Sequence, residues 1–390
     1  MDRPGSDVEV VSAATAVLDP ADPLGVGFRG AVSDRLARFV ERQAPALTSM
    51  GPELAGVRSM AAALLAGGKR LRPAFFVWGF VAAGGRPAEA DLAPLLDAAA
   101  SFDLLHASAL VHDDVMDSSD VRRGQPAAHR RFEALHFEEA WLGDGPAFGR
   151  AGAILLGDLL IMWSAQILGE ARLRTRSLAR ALPLVDLMRT EVTCGQYLDM
   201  VVQAQPLPRW LPEVAGRPDL AGALADADRV TELKTARYTV VRPVQAGAAV
   251  GGADERLSAQ LLAYGSPLGR AFQFRDDLLG VFGDPEVTGK PAGDDLREGK
   301  RTVLVAQAYA RTDAAGRRLL VDLLGDPGLG PDGVARLQEV ITASGATAEV
   351  EATITASHDR ALTALEGSDV TDEGRTALRA LADAAVRRSA

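Results

Sequence analysis

Asparagine is absent from the 390-residue chain, and cysteine occurs once, as Cys194. One cysteine excludes an internal disulfide and a cysteine-based zinc site. A basic excess is lacking too: the net charge of −10 argues against a nucleic-acid binder, which needs a positive face. Residues 1–20 are acidic and have no apolar core segment of the signal-peptide kind. The most apolar stretch, 151–168, is interrupted by Asp158 and too short to span a bilayer. Strictly alternating Val/Ile/Thr runs are missing, which disfavours a sheet. What is present, 47% hydrophobic and 24% charged residues, is a globular composition, and the expectation is a soluble cytoplasmic protein.

Lysine is the most telling scarcity. Only Lys69, Lys234, Lys290 and Lys300 occur, and the other 38 of the 42 basic residues are arginine. A lysine offers a compact ammonium where a planar guanidinium does not fit. Each of the four falls within one of the polar clusters described below.

Organisation along the chain is almost wholly helical. Residues 1–26 show no sustained period and read as a mobile tail. From residue 29 onward, apolar residues recur at three- and four-residue spacing. The pattern predicts helices over 31–44, 52–67, 73–83, 87–116, 127–142, 148–168, 174–203, 225–252, 255–282 and 303–310, with several more over 314–388. The Pro-rich stretch 204–224 reads as a long loop. Helices of one character lie on both sides of it, so residues 27–390 form one all-α domain, with long helices packed around a central cavity.

Two clusters are acidic. In the first, the apolar helix ends in HDDVMDSSDVRRG, where Asp113 and Asp117 stand at i and i+4 and project from one face. Two such carboxylates can share a hard divalent cation, and Mg²⁺ favours a few carboxylates plus phosphate oxygens. Asp114 can support that site, and the adjacent Arg122 and Arg123 suit phosphate recognition. In the second cluster, QFRDDLLGVFGDPEVTGKPAGDDLREGKR, Asp276 and Asp277 again sit on an apolar helix. Asp284, Lys290, Asp294, Asp295 and Lys300 follow, a mixture able to hold a cation and a polyanion together. A third cluster, GGKRLRP, places Lys69, Arg70 and Arg72 between helices, and two smaller elements are GQYLD (Gln196, Asp199) and KTARY (Lys234, Thr235, Tyr238).

In combination and order, these motifs resemble the trans-isoprenyl diphosphate synthases of the polyprenyl synthetase family. The resemblance runs from about residue 64 to 301, and the part after 272 looks most like actinobacterial short-chain enzymes of the geranylgeranyl type. It implies the all-α isoprenoid synthase fold, a homodimer and two substrates. Isopentenyl diphosphate is held by Lys69, Arg70, His106 and Arg123. The allylic diphosphate is held by Arg122, Lys234, Lys290 and Lys300. Three Mg²⁺ ions, for which Mn²⁺ can substitute, lie on Asp113, Asp117 and Asp276, with Asp114, Asp277, Asp199 and Asp295 in support. The oxygen dipoles of Thr235 and Gln273 face the allylic cation. One departure stands out: the fifth position of the second motif is usually Asp and is here Gly280, leaving Asp284 or the Asp294/Asp295 pair to compensate.

Product length follows from the helix that leads into Asp113. Ser108 and Ala109 are small where farnesyl-type enzymes carry a bulky aromatic, so a growing tail can pass that level. Phe102 lies eleven residues before Asp113, about 16 Å down the helix, and a floor there suits a C20 product. Farnesyl or longer-chain synthesis is the alternative. A class I terpene cyclase is a weaker rival, because it normally has an Asn/Asp-Ser/Thr-Glu motif and has no need of the basic loop. A phosphohydrolase of HD type needs a histidine-rich shell that five scattered histidines do not supply, and a non-catalytic partner subunit usually lacks the first acidic motif.

Overall fold

The computed structural model describes residues 17–86, 89–214, 217–285 and 292–387. Its helices are α1 (Val26–Met50), α2 (Leu54–Leu65), α3 (Leu71–Ala82), α4 (Glu89–Met116), α5 (Ala128–Glu138), α6 (Gly145–Glu170), α7 (Thr175–Gln203), α8 (Leu207–Trp210), α9 (Leu220–Val230), α10 (Arg242–Gly251), α11 (Glu255–Phe282), α12 (Asp294–Glu298), α13 (Val303–Arg311), α14 (Ala314–Leu323), α15 (Pro331–Ala343), α16 (Ala346–Glu366) and α17 (Asp372–Val386). Between α9 and α10, Thr231–Val241 winds as a π-helix. Two-residue antiparallel ladders join β1 (Val121–Arg122) to β2 (Gln125–Pro126) and β3 (Glu213–Val214) to β4 (Arg217–Pro218).

Local chemistry sets several of these boundaries. Asp144 starts α6 by accepting a hydrogen bond from the Ala147 N–H (3.0 Å), and Asp254 starts α11 by accepting from Leu257 (2.8 Å), each relieving an unpaired amide of a first turn. The core is continuous and centres on α3, α4, α10 and α11, with Phe75, Phe76, Trp78, Phe102 and Tyr264 buried. The backbones of α3 and α10 touch. A Cβ at Gly79 would lie 2.2 Å from the Val244 carbonyl oxygen, and one at Gly247 would lie 1.8 Å from that of Phe76, so only glycine permits the approach.

Three expectations change. The stretch 204–224 is not a plain loop: it holds α8, the paired strands β3 and β4 and the start of α9, because Trp210 and Leu211 bury themselves in the core and Asp219 caps a helix. The single helix foreseen over 225–252 is divided into α9, the π-helix and α10. Of the tail foreseen over 1–26, residues 1–16 lie outside the described residues, and Leu18 is buried in the core. The apolar stretch at 151–168 is part of the 26-residue α6. By length and composition alone, α6 and the 92–116 part of α4 could each cross a membrane, although most of the latter is buried inside the molecule.

Candidate active site

The C-terminal end of α4, the C-terminal third of α11, the π-helix and α12 converge on a cavity of about 910 Å³. Its walls carry Asp113 and Arg122 on one side and Gln273, Asp276, Gly280, Asp294 and Asp295 on the other, with Lys234 and Lys300 between. The two acidic motifs, about 160 residues apart in sequence, thus face one space.

Lys234, Lys300 and Arg122 are each tied to carboxylates. The Lys234 ammonium donates to Asp199 Oδ2 (2.7 Å) and Asp113 Oδ1 (3.3 Å), and Gln196 Nε2 also donates to Asp113 Oδ1 (3.0 Å). Burial works to lower the Lys234 pKa, but Asp113 and Asp199 outweigh it and raise it. Lys300 Nζ lies 2.8 Å from Glu298, 3.4 Å from Asp295 and 3.6 Å from Asp117. There too the carboxylates overcome burial and hold the ammonium charged. Arg122 donates to Asp114 through Nε (2.9 Å) and Nη2, and its Nη2 lies 3.7 Å from Asp113. Asp114 is therefore turned to Arg122, orienting it.

The aspartates still carry more negative charge than these cations neutralise. Burial above all, then the charge of Asp113, pushes the Asp117 carboxyl up to about 7 against the opposing Lys300. Burial likewise pushes Asp277 up to about 8, with Asp295 and Asp276 adding to it. Asp117 Oδ2 is buried and has no hydrogen-bond partner among the described residues. Nor do three metal-ligating side chains converge into a closed cage among them. Pairs of hard oxygen donors, one with no hydrogen bond and only the more distant Lys300 ammonium beside it, in a site of surplus negative charge fit a divalent cation that completes its shell with phosphate oxygens and water.

The π-helix places KTARY. Thr235 Oγ1 donates to Gln273 Oε1, and Gln273 Nε2 donates onward to Asp277 Oδ1 (2.8 Å), linking the π-helix to the second motif. This π-helix spans eleven residues, more than one turn, and π-helical widening of an α-helix often marks a functional site. Gly195 lets α7 come close: a Cβ there would lie 2.5 Å from the Lys234 backbone nitrogen.

A second, basic lobe of the cavity is lined by Lys69, Arg70, Arg72, His106 and Arg123. Arg123 and Gly124 both have positive φ (54° and 71°) in the two-residue turn between β1 and β2, the mirror-image geometry that suits a tight hairpin. The strain at Arg123 projects its guanidinium back to the Gly67 carbonyl (3.2 Å). Arg70 behaves unlike its neighbours. It is 4% exposed, and its guanidinium donates to Asp103 (2.8 Å), the Leu65 carbonyl (2.6 Å) and Ser33 (3.0 Å). Arg72 instead lies over the Tyr238 ring at 4.3 Å and donates to Thr239, with its Nε unpartnered among the described residues. Burial first, and then the nearby arginines, hold His106 well below the usual imidazole range, so it is neutral, with Nδ1 3.3 Å from the Tyr238 hydroxyl.

Other foreseen residues lie elsewhere. On α4 the cavity wall is Asp103, His106, Ala107, Leu110 and Asp113; Phe102, Ser108 and Ala109 are not part of it. Phe102 is buried against Phe76, with ring centroids 5.1 Å apart, and Ser108 is buried. Asp284 is exposed. Lys290 lies outside the described residues. The sequence reading missed Asp103 and Glu298. The second of these joins Ser119 (2.7 Å), just past the first motif, to Lys300. Its signal was its place two residues before a scarce lysine.

The chain matches the family described as polyprenyl synthetase over residues 55–341. It is 35% identical over 284 residues to a geranylfarnesyl diphosphate synthase of Aeropyrum pernix, covering 72% of this chain and 77% of that one. With a (2E,6E)-farnesyl diphosphate synthase of Mycobacterium tuberculosis it shares 32% over 281 residues, 71% of this chain and 68% of the other. A crystal structure of a geranylgeranyl pyrophosphate synthase from Corynebacterium glutamicum, complexed with isoprenyl diphosphate and magnesium, superposes with a TM-score of 0.86 at 39% identity, covering 95% of this chain and all of that one.

Proposed function

The chain belongs to the polyprenyl synthetase family and is a prenyltransferase, and from that premise we propose that it joins isopentenyl diphosphate head-to-tail (1′-4) to an allylic diphosphate, with geranylgeranyl diphosphate (C20) as product. The observation that carries this is the convergence of both acidic motifs, three of the four lysines and the basic turn on one cavity. Asp113, Asp117 and Asp276 would hold Mg²⁺, supported by Asp277, Asp199 and Asp295. When bound, the ions supply electrostatic stabilisation to the departing diphosphate.

The residues of the chain do the rest. Lys234, Lys300 and Arg122 receive the diphosphate of the allylic substrate as its C1–O bond breaks, and Lys290 is assigned there by its motif. Their charge is already fixed by the aspartates, so little reorganisation is needed as negative charge develops. Thr235 and Gln273 turn oxygen dipoles toward the allylic carbon, and Leu110, Phe272 and Leu279 exclude water from it. Lys69, Arg72 and Arg123 hold the second diphosphate beside neutral His106. Arg72 takes this role in place of Arg70, whose guanidinium is already spent. C4 of isopentenyl diphosphate bonds to the allylic C1, and the proton lost from its C2 passes to the departed diphosphate. No side chain is needed as base.

A second copy of the chain is assigned to the apolar stripe on α6, where Ile154 (45% exposed), Leu155 (68%), Ile161 (38%) and Met162 (64%) share one face. The test of the reaction incubates the full chain with Mg²⁺, isopentenyl diphosphate and dimethylallyl, geranyl or farnesyl diphosphate. Prenyl diphosphates ending at C20 are expected. Inertness with all primers, or hydrocarbon from a single prenyl diphosphate, overturns the assignment. In the same assay Phe102→Ala is expected to leave the product distribution unchanged, because Phe102 packs on Phe76 behind the cavity wall, and a longer product would restore it as the floor.

A further inference from the structure

We infer that Asp295 supplies the carboxylate that the second aspartate motif lacks, and that position 280 is glycine because any side chain there would expel it. The inference rests on reading the aspartates as a cation site, and it concerns which atoms build that site.

Gly280 stands four residues after Asp276 on α11, so the two positions share one face of the helix. A carboxylate at 280 would project beside that of Asp276. The space is already taken. A Cβ built on Gly280 lies 1.9 Å from Oδ2 and 2.3 Å from Cγ of Asp295, closer than any real contact. An Asp295 carboxyl group therefore sits against α11 where the first carbon of a side chain at 280 would begin.

Asp295 is not free to drift from that place. It rides on α12, whose Leu296 is fully buried and whose Leu296 carbonyl accepts from the Gly325 N–H (2.9 Å). Arg297 donates to the carbonyls of Leu329 (3.1 Å) and Ala292 (2.9 Å). The backbone of Gly299, at positive φ, passes so near Gly325 that a Cβ there would meet its Cα at 2.8 Å. Lys300 then holds the carboxylate from its other side, 3.4 Å from Oδ1. The other candidate for compensation, Asp284, is exposed and does not line the cavity. The geometry thus moves one carboxylate from α11 to the neighbouring, pinned α12. Glycine at 280 is the clearance that allows it.

The test is a mutant cycle on the full chain, read as Mn²⁺ binding by electron paramagnetic resonance with inorganic diphosphate as the anionic probe, and checked for folding by circular dichroism. Asp295→Ala and Gly280→Ala are each expected to weaken Mn²⁺ binding about tenfold. Combined, they are expected to be no weaker than either alone to within about twofold, since both remove the same ligand. Gly280→Asp alone is expected to weaken binding as well, whereas Gly280→Asp with Asp295→Gly restores it to within about threefold. This relocated pair decides the matter if a single variant folds poorly. Additive losses, a Gly280→Ala protein that binds like the natural one, or a relocated pair that stays weak would overturn the exchange. If the natural protein itself bound no Mn²⁺ with diphosphate, the cation-site reading beneath the inference would fail instead.

Discussion

Arg70 and Arg72 stand two residues apart in one basic motif and have opposite fates. Arg70 closes a buried ion pair with Asp103, and breaking such a pair by removing one partner costs about 3–5 kcal/mol. Arg70→Ala should therefore lower the melting temperature markedly. Arg72→Ala, which gives up only the Tyr238 stacking and the bond to Thr239, should lower melting less than Arg70→Ala and raise KM for isopentenyl diphosphate by about tenfold or more, the scale of a charge-assisted contact. The reverse pattern would exchange their roles. Neither fate was legible in the sequence, because the partner that consumes Arg70 lies 33 residues away on another helix. The aspartates were legible, since i,i+4 carboxylates at the end of an apolar helix have few other uses. Asp117 and Asp277 also fix a pH dependence. Their folded-state pKa values, about 7 and about 8, are raised above the ordinary 3.8, so the stability they contribute is present below about pH 4 and lost as pH rises through those values. A cation competes with the protons on these carboxyls. The rise in melting temperature produced by Mg²⁺ with inorganic diphosphate should accordingly be larger at pH 8.5 than at pH 6. A gain that is flat or falls with pH would contradict the assignment.

The π-helix is the element that the sequence concealed. Apolar periodicity ran unbroken through 225–252 and gave one helix, because hydrophobic spacing reports which face is buried and not how many residues fill each turn. What holds the wider turn is tertiary: Thr235 bonded to Gln273 on α11, and Lys234 drawn to Asp199 and Asp113 on two other helices. Gly195 is the point where α7 meets it. Gly195→Ala should force the two backbones apart, costing about 1–3 kcal/mol in denaturant unfolding. It should also lower kcat, since the same shift separates Asp199 from Lys234. Unchanged stability and turnover would mean that the approach is not needed. The Pro-rich stretch failed for a similar reason: Trp210 and Leu211 are drawn inward by a core that local composition does not reveal.

At the level of the whole molecule, the all-α architecture was readable from helical periodicity alone, and its central cavity from the placement of polar clusters on apolar helices. The exposed apolar stripe on α6 was not, because in sequence it looks like any buried face. If it is covered by a second copy, Leu155→Arg with Met162→Glu should shift the protein to monomer in light scattering and keep its helical circular dichroism. A dimer that survives both substitutions would place the interface elsewhere. Product length also belongs to this scale, since relatives of comparable identity bear names spanning farnesyl and geranylfarnesyl products. The proposed chemistry requires the grip of two aspartate-bearing helices on divalent cations across one cavity. Its most direct test is the anomalous difference map of a crystal soaked with Mn²⁺ and inorganic diphosphate. Peaks at Asp113/Asp117 and at Asp276, with diphosphate density between them beside Lys234 and Lys300, are the predicted result. A cavity without anomalous peaks, or Mn²⁺ bound only to outer-surface carboxylates, would contradict it.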